Sequence, residues 1–276
     1  MNNKKFVNIL QSKYLKIFNN ILSIGALFFL YLLIEKNYTD INLLKNPKIL
    51  LALPIFMFSN IFMAKGWSYL SDDKNQRDIL FNSWFQSMLG KYIPFKIGIP
   101  IMRLGKIKEQ IETYETKKLI KNLFIEQISI IFLSLFIGSF FFIQNNIVKN
   151  IMILFLLIFV LINLVFNKKD RVLFYSNIMF AQIVILFSLI IFTYFRYDVF
   201  YLDLALGYIF SASLSLFFIG SPGGLGIREY IGYSIISYKF PISFTLEFIL
   251  LARALTLASD LISYLTYVGY KKFKKL

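Results

Sequence analysis

Long apolar runs separated by short polar segments dominate this chain of 276 residues. A helix needs roughly 20 mostly apolar residues to cross ~30 Å of hydrocarbon. Candidate spans occupy 17–34, 48–70, 119–142, 147–166, 172–195, 203–219, 227–240 and 246–270. The pattern therefore predicts an all-α polytopic transmembrane bundle of about eight spans, forming a single integral membrane domain over residues 1–276.

A further apolar stretch, 79–102, is interrupted by helix-breaking residues and by two lysines: Gly90, Lys91, Pro94, Lys96, Gly98 and Pro100. A straight span with two prolines and two lysines would be costly, because proline removes a helix hydrogen bond and each charge must leave water. We therefore expect a re-entrant or interfacial segment near 79–102.

The composition agrees with a membrane protein, since 58% of the residues are hydrophobic and only 16% are charged. With an N-terminus in the cytoplasm, the proposed inner segments hold 21 Lys and Arg residues and the outer segments hold six. This bias predicts that both termini are cytoplasmic in a multi-pass protein of the inner or plasma membrane. The basic, apolar beginning is interpreted as a retained first span, because no small-residue cleavage site follows Ile34.

The net charge of +15 has two interpretations. It can serve a basic surface that faces anionic lipids or substrates, or it can simply fix the topology through positively charged inner loops. The basic residues are dispersed between apolar runs, so we expect no nucleic-acid partner. The sequence contains no Cys and no His, which argues against a zinc site or histidine catalysis, and we expect no metal and no cofactor.

The most distinctive motif, Gly220 to Glu229, combines a helix-ending proline with glycines and a charged helix start. A helix N-terminus favours an anion, and an arginine adds a planar fork suited to phosphate. The motif predicts a phosphate-headgroup site, although a tight turn with one topology-setting arginine would give the same pattern. The candidate binding residues are Gly223, Gly224, Gly226, Arg228 and Glu229.

Charged residues inside or near the apolar runs supply the other candidates. Lys91, Lys96 and Arg103 would give a cavity at the broken segment a positive lining, or would reach the headgroups from an interfacial helix. Arg253 and Asp260 are seven residues apart and so share one helix face. We expect Glu126 to pair with Arg253 or Arg228, either for function or as a structural ion pair.

Two tryptophans, Trp67 and Trp84, lie near the ends of apolar runs. Tryptophan is enriched at membrane–water interfaces. Both residues are therefore predicted to belong to an interfacial belt.

Together these motifs resemble the membrane region of the lysylphosphatidylglycerol synthase/flippase family, also called the flippase-like domain. Pro222 to Glu229 is similar to that family's Pro-Gly-Gly-x-Gly-x-Arg-Glu signature, and 89–98 is similar to its Leu-Gly-basic-Tyr-Leu-Pro-Gly-Lys segment with Phe95 in place of a glycine. Glu126-Gln127 resembles a Glu-Arg pair, and Arg253 stands where the family has an arginine in its last long helix.

The resemblance implies a helical bundle that moves anionic or glycan-linked lipids across the bilayer. Family members with synthase activity carry a soluble aminoacyl-transferase domain after the membrane part, and because this sequence ends at Leu276 that activity is not expected. The leading hypothesis is translocation of an anionic or polyprenyl-phosphate-linked lipid in cell-envelope assembly, without ATP hydrolysis, since no nucleotide motif is present. A glycosyltransferase that uses a polyprenyl-phosphate sugar and a non-catalytic membrane scaffold are the alternatives.

Overall fold

The computed structural model describes residues 46–71, 73–92, 98–111, 115–167, 169–218, 224 and 226–273. The fold is all-helical over these residues. Their α-helices, in chain order, are α1 (Ala52–Ser68), α2 (Arg77–Ser87), α3 (Gly98–Lys108), α4 (Thr116–Gly138), α5 (Asn146–Phe166), α6 (Asp170–Tyr197), α7 (Leu202–Ser215), α8 (Ile227–Ile236) and α9 (Ile242–Phe273). Short 3-10 turns extend α1 at its start and α2 and α4 at their ends.

Five of the predicted spans are confirmed as helices that are long and apolar enough to cross a membrane. They are Pro47–Ser68, Thr116–Phe142, Asn146–Phe166, Asp170–Tyr197 and Ile242–Lys271. The most apolar of them, α5, is also the least buried within the protein, as expected of a helix at the periphery of a bundle with lipid as its solvent. The predicted span 17–34 lies outside the described residues.

The two remaining predicted spans, 203–219 and 227–240, form the short helices α7 and α8. Their 14 and 10 residues rise only about 21 and 15 Å at ~1.5 Å per residue, so neither helix alone reaches across the hydrocarbon. The side chains of Asp203, at the start of α7, and Lys239, just after α8, are 3.2 Å apart. α7 and α8 therefore form an antiparallel hairpin, which we call the α7–α8 hairpin.

The interrupted stretch 79–102 also forms a hairpin rather than a straight helix. α2 continues as a 3-10 turn over Met88–Tyr92, and α3 starts at Gly98 and packs back against α2. The neck is tight, because a Cβ on Gly90 would lie 2.6 Å from the carbonyl carbon of Gly98. The α2–α3 hairpin agrees with the predicted break, and residues 93–97, which connect its two helices in the sequence, lie outside the described residues.

The two hairpins enter the bundle from opposite ends. Arg77 at the start of α2 forms a 2.6 Å ion pair with Asp170 at the start of α6, whereas α7 begins five residues after α6 ends. The 28 residues of α6 rise about 42 Å at ~1.5 Å per residue, so these points are far apart. We call the two ends of the bundle the Asp170 end and the Asp203 end.

Close helix packing holds this arrangement together. A Cβ on Gly66 of α1 would lie 3.3 to 3.4 Å from atoms of α6, and Ser188 of α6 donates a hydrogen bond to the carbonyl of Ala52 at the start of α1. Small residues allow such approach in membranes, where association depends on dispersion contacts and hydrogen bonds.

Gly138 tests this packing. A Cβ at Gly138 would lie 2.7 Å from backbone atoms of Phe210 on α7, so Gly138→Ala should separate α4 from α7 and destabilise the protein by roughly 1–3 kcal/mol. We expect a lower midpoint of thermal unfolding in detergent. Gly105→Ala is the matched control, because no atom lies within 4 Å of its Cβ position. Equal midpoints for the two variants would contradict this account.

Candidate functional site

One face of α9 binds both hairpins. Arg253 pairs with Glu229 of α8 at 3.5 Å, and Asp260 pairs with Lys91 of the α2–α3 hairpin at 2.5 Å. One further heptad along, Tyr267 stacks on Phe85 of α2. The prediction that Arg253 and Asp260 share a face agrees with these contacts, and the spacing of about 10 Å between them separates the attachment points of the two hairpins.

The tip of the α7–α8 hairpin depends on glycine. Gly224 and Gly226 have φ angles of +76° and +80°, which side-chain-bearing residues rarely adopt. Glu229 folds back so that its carboxylate accepts a 2.6 Å hydrogen bond from the Gly226 amide and caps the first turn of α8. The carboxylate is thus turned to its own helix start and to Arg253, and Gly223 lies outside the described residues.

Arg228 occupies a different position from the other cations. Its guanidinium carbon lies 4.2 Å from the centre of the Tyr208 ring, and its Nε is buried without a hydrogen-bond partner. Within the described part of the chain, no carboxylate comes within the 4 Å that defines an ion pair with Arg228. The Tyr208 hydroxyl, on a fully buried residue, is also without a partner there.

The tip of the α2–α3 hairpin is tied to α9 by two groups. Lys91 and the Tyr92 hydroxyl both bind Oδ2 of Asp260, each at 2.5 Å. Asp260 is 5% exposed, so the two donors compensate the cost of burying its charge. The other lysine candidate, Lys96, lies outside the described residues.

The described ends of the two hairpins, Tyr92 and Arg228, lie close enough inside the bundle to interact electrostatically. Tyr92 belongs to the electrostatic surroundings of Arg228, together with Arg253 and Glu229. Three cations, Lys91, Arg228 and Arg253, face two carboxylates, Asp260 and Glu229. The described part of the meeting point thus carries a net charge of +1, and the excess charge lies on Arg228.

The predicted partner of Glu126 is wrong. Glu126 forms a 2.5 Å ion pair with Arg103 of α3 and accepts a 3.0 Å hydrogen bond from the Trp84 indole. Arg103 also donates to Ser87 and stacks on Trp67. Because α3 folds back along α2, it places Arg103 beside α4, whereas Arg253 is paired with Glu229 and Arg228 lies beside Tyr208, both at the hairpin tips.

The burial of the Arg103–Glu126 ion pair also contradicts two further expectations, the cavity lining by Arg103 and the interfacial belt of tryptophans. Arg103 is 3% exposed and so cannot line an open cavity, and the two tryptophans that surround its ion pair are buried instead of forming an interfacial belt. Trp67 is fully buried and donates to Ser83. The cluster of Trp67, Trp84, Arg103 and Glu126 joins the α2–α3 hairpin to α1 and α4.

The aromatic parts of the site were not predicted. Tyr208 supports the Arg228 guanidinium, and Tyr92 binds Asp260. Neither stands out in a chain that contains 17 tyrosines. The position of Tyr92 beside the proline-broken segment was the available signal for that residue, and no pattern in the sequence singles out Tyr208.

A second cluster of charged residues lies at the Asp203 end. Lys149 of α5, with 1% of its side chain exposed, binds Oδ1 of Asp203 at 2.5 Å, while Lys239 binds Oδ2. The sequence places both lysines in outer segments, where they should meet water. The pairing of both lysines with one carboxylate, and the burial of Lys149, were not expected.

The Arg103–Glu126 ion pair yields a stability prediction. Glu126→Gln leaves the buried Arg103 charge without its counterion, which should cost about 3–5 kcal/mol and shift tryptophan emission to longer wavelength as Trp84 gains contact with water. Replacing both partners with apolar residues, Arg103→Met with Glu126→Leu, should restore most of the stability.

Two controls separate this pairing from others. Glu109→Gln removes the exposed partner of Lys106 and should change stability little, because exposed pairs contribute at most about 1 kcal/mol. A charge swap between Glu126 and Arg253 should not recover stability. Recovery in that swap would contradict the pairing described above.

Comparisons with protein-family models, with curated proteins and with solved structures find no match to this chain. The resemblance to the flippase-like domain family therefore stays a prediction, and a function has to be argued from the geometry of the two hairpin tips.

Proposed function

We propose that this protein binds a phosphate-bearing lipid between the tips of its two hairpins and moves it across the membrane. The observation that carries the proposal is Arg228, a half-buried guanidinium that meets no carboxylate within 4 Å among the described residues. A charge held away from water is costly unless it is paired. An anionic ligand would supply the missing partner, and the planar fork of arginine suits two phosphate oxygens at once.

The surroundings of Arg228 favour an anion rather than a neutral ligand. Arg228 lies in the first turn of α8, where the helix dipole is positive. Glu229 neutralises part of that field by capping Gly226, but it is shared with Arg253. Among the described residues of the two tips, the cations therefore remain in excess by one, which matches a single negative charge such as that of a phosphodiester.

The two opposed hairpins favour transport over a fixed binding role. Discontinuous helices that meet within the bilayer form the substrate sites of many transporters, and movement of one unit against the other then opens the site to alternate sides. Here Lys91 and Tyr92 hold one hairpin to Asp260, while Arg253 holds the other to the same helix face. A phosphate at Arg228 would lie between these two attachments.

The direction of the bundle follows from its charges in this proposal. The Asp170 end carries Arg77, Lys106, Arg171 and Lys271, and cytoplasmic segments are enriched in such residues. The α2–α3 hairpin then enters from the cytoplasm of an inner or plasma membrane and the α7–α8 hairpin from the opposite side. The lipid class is anionic or polyprenyl-phosphate-linked, in cell-envelope assembly.

Arg228 provides the test. Loss of a charged hydrogen-bonded contact is worth about 1.5–3 kcal/mol, so Arg228→Ala should weaken retention of a phosphate lipid roughly 10- to 100-fold. Lipid retention by Arg228→Lys should lie between that of the wild type and that of Arg228→Ala, since lysine keeps the charge but lacks the planar fork of arginine. Retention of lipid is measured by native mass spectrometry, and transport by the loss of a fluorescent anionic phospholipid from one leaflet of proteoliposomes.

Arg171→Ala is the matched control, because Arg171 is exposed at the Asp170 end. Lipid retention and transport that are unchanged in Arg228→Ala at normal expression would overturn the proposal in favour of a membrane scaffold. Sugar transfer by the purified protein without lipid movement would instead favour a glycosyltransferase.

A further inference from the structure

A groove at the Asp203 end is separate from the meeting point of the hairpin tips. It encloses about 460 Å³ between α5, α6 and the start of α7, a volume typical of sites that bind small molecules, ~300–1,000 Å³. Leu157, Phe187 and Ile190 lie in its apolar part, and Asn146, Asn150 and Asp203 lie toward one end of α5. The groove is thus apolar along its length and polar at its head.

The position of the groove indicates what kind of molecule reaches it. Its lining follows α5 from Asn146 to Leu157, about 16 Å at ~1.5 Å per residue. α5 is the least buried of the five long helices, and the side chain of Leu154 is 57% exposed. A groove along a helix that faces the hydrocarbon is filled by hydrocarbon, which in a membrane means an acyl chain.

The charge at the head of the groove indicates the headgroup. Lys149 and Lys239 share the single carboxylate of Asp203, so the cluster carries a net charge of +1. Neither lysine lines the groove directly, and both adjoin it through Asp203. Lys149 is buried, whereas Lys239 also donates to the Phe141 carbonyl and keeps 23% of its side chain exposed. The nearby amides of Asn146 and Asn150 are exposed and can donate to phosphate or glycerol oxygens.

We propose that this groove binds one anionic phospholipid, whose acyl chain lies along α5 and whose phosphate meets Lys239 and the two asparagines. In the orientation argued from the charges, this lipid comes from the leaflet opposite the cytoplasm. The site does not depend on Arg228: the hairpin tip that carries Arg228 is separated from Asp203 by the full length of α7.

The test compares binding of phosphatidylglycerol and phosphatidylcholine with identical acyl chains by native mass spectrometry of the purified protein. We expect the wild type to retain phosphatidylglycerol about tenfold better, as a charged contact would give. Leu154→Trp should reduce binding of both lipids, because the indole fills the groove. Lys239→Gln should remove the preference for phosphatidylglycerol while the acyl-chain contacts remain.

Matched controls isolate the site from general effects on the protein. Leu161→Trp places the same bulk on the lipid-facing side of α5, two turns beyond Leu154 and outside the groove, and Lys48→Gln removes an exposed lysine. Both should bind as the wild type does. Arg228→Ala should leave this lipid bound, which separates the groove from the proposed transport site.

The proposal is overturned if the wild type shows no preference between the two lipids, or if Leu154→Trp binds as Leu161→Trp does. It is also overturned if Arg228→Ala alone abolishes retention of phosphatidylglycerol, since the lipid would then occupy the hairpin tips. Reduced binding in Leu154→Trp and lost preference in Lys239→Gln, with both controls unchanged, support it.

Discussion

The attachment of two broken hairpins to one face of α9 is the constraint on which the rest of the bundle depends. Backbone that leaves helical geometry inside a bilayer must find its hydrogen bonds within the protein, because the hydrocarbon offers none. At the start of α8 the Glu229 carboxylate, which Arg253 holds, accepts a hydrogen bond from the Gly226 amide. Asp260 binds the side chains of Lys91 and Tyr92 and so holds the other hairpin against α9. Removing either anchor would leave both a buried charge and an interrupted helix uncompensated.

The same constraint separates the charged residues that join the helices from the one that we propose to bind a ligand. Arg103 and Glu126 are matched one to one, almost fully buried and surrounded by tryptophans, so the pair positions the α2–α3 hairpin and has no capacity left for a ligand. Arg228 has an aromatic support but no carboxylate within 4 Å in the described part of the chain. A buried ion pair is weak evidence for stability, whereas a half-buried cation without a counterion is a reason to expect a ligand.

Sequence reasoning succeeded where one-dimensional spacing decides the outcome. Span length identified five helices, proline and glycine identified the two interruptions, and the interval of seven residues placed Arg253 and Asp260 on one face. It failed where partners come from elements far apart in the chain. Glu126 meets Arg103 only because the neck at Gly90 turns α3 back along α2. The two tryptophans are buried because they pack against that ion pair. Hydropathy also overestimated 203–219 and 227–240, since an apolar run gives no indication that a helix stops at mid-bundle.

Asp203 and the tip that carries Arg228 belong to the same hairpin. The start of α7 lies at the Asp203 cluster and its end lies beside the α8 tip, because a Cβ on Gly224 would come within 3.0 Å of the Ser215 hydroxyl. Lys149, Asp203 and Lys239 therefore fix the base of the same hairpin whose tip carries Arg228. A lipid held at the base would stabilise one position of that hairpin relative to α5, and by linkage the position of the hairpin would change the affinity for that lipid. If both proposals hold, occupancy of the groove by a lipid of one leaflet would be coupled to the state of the tip, without any contact between the two sites.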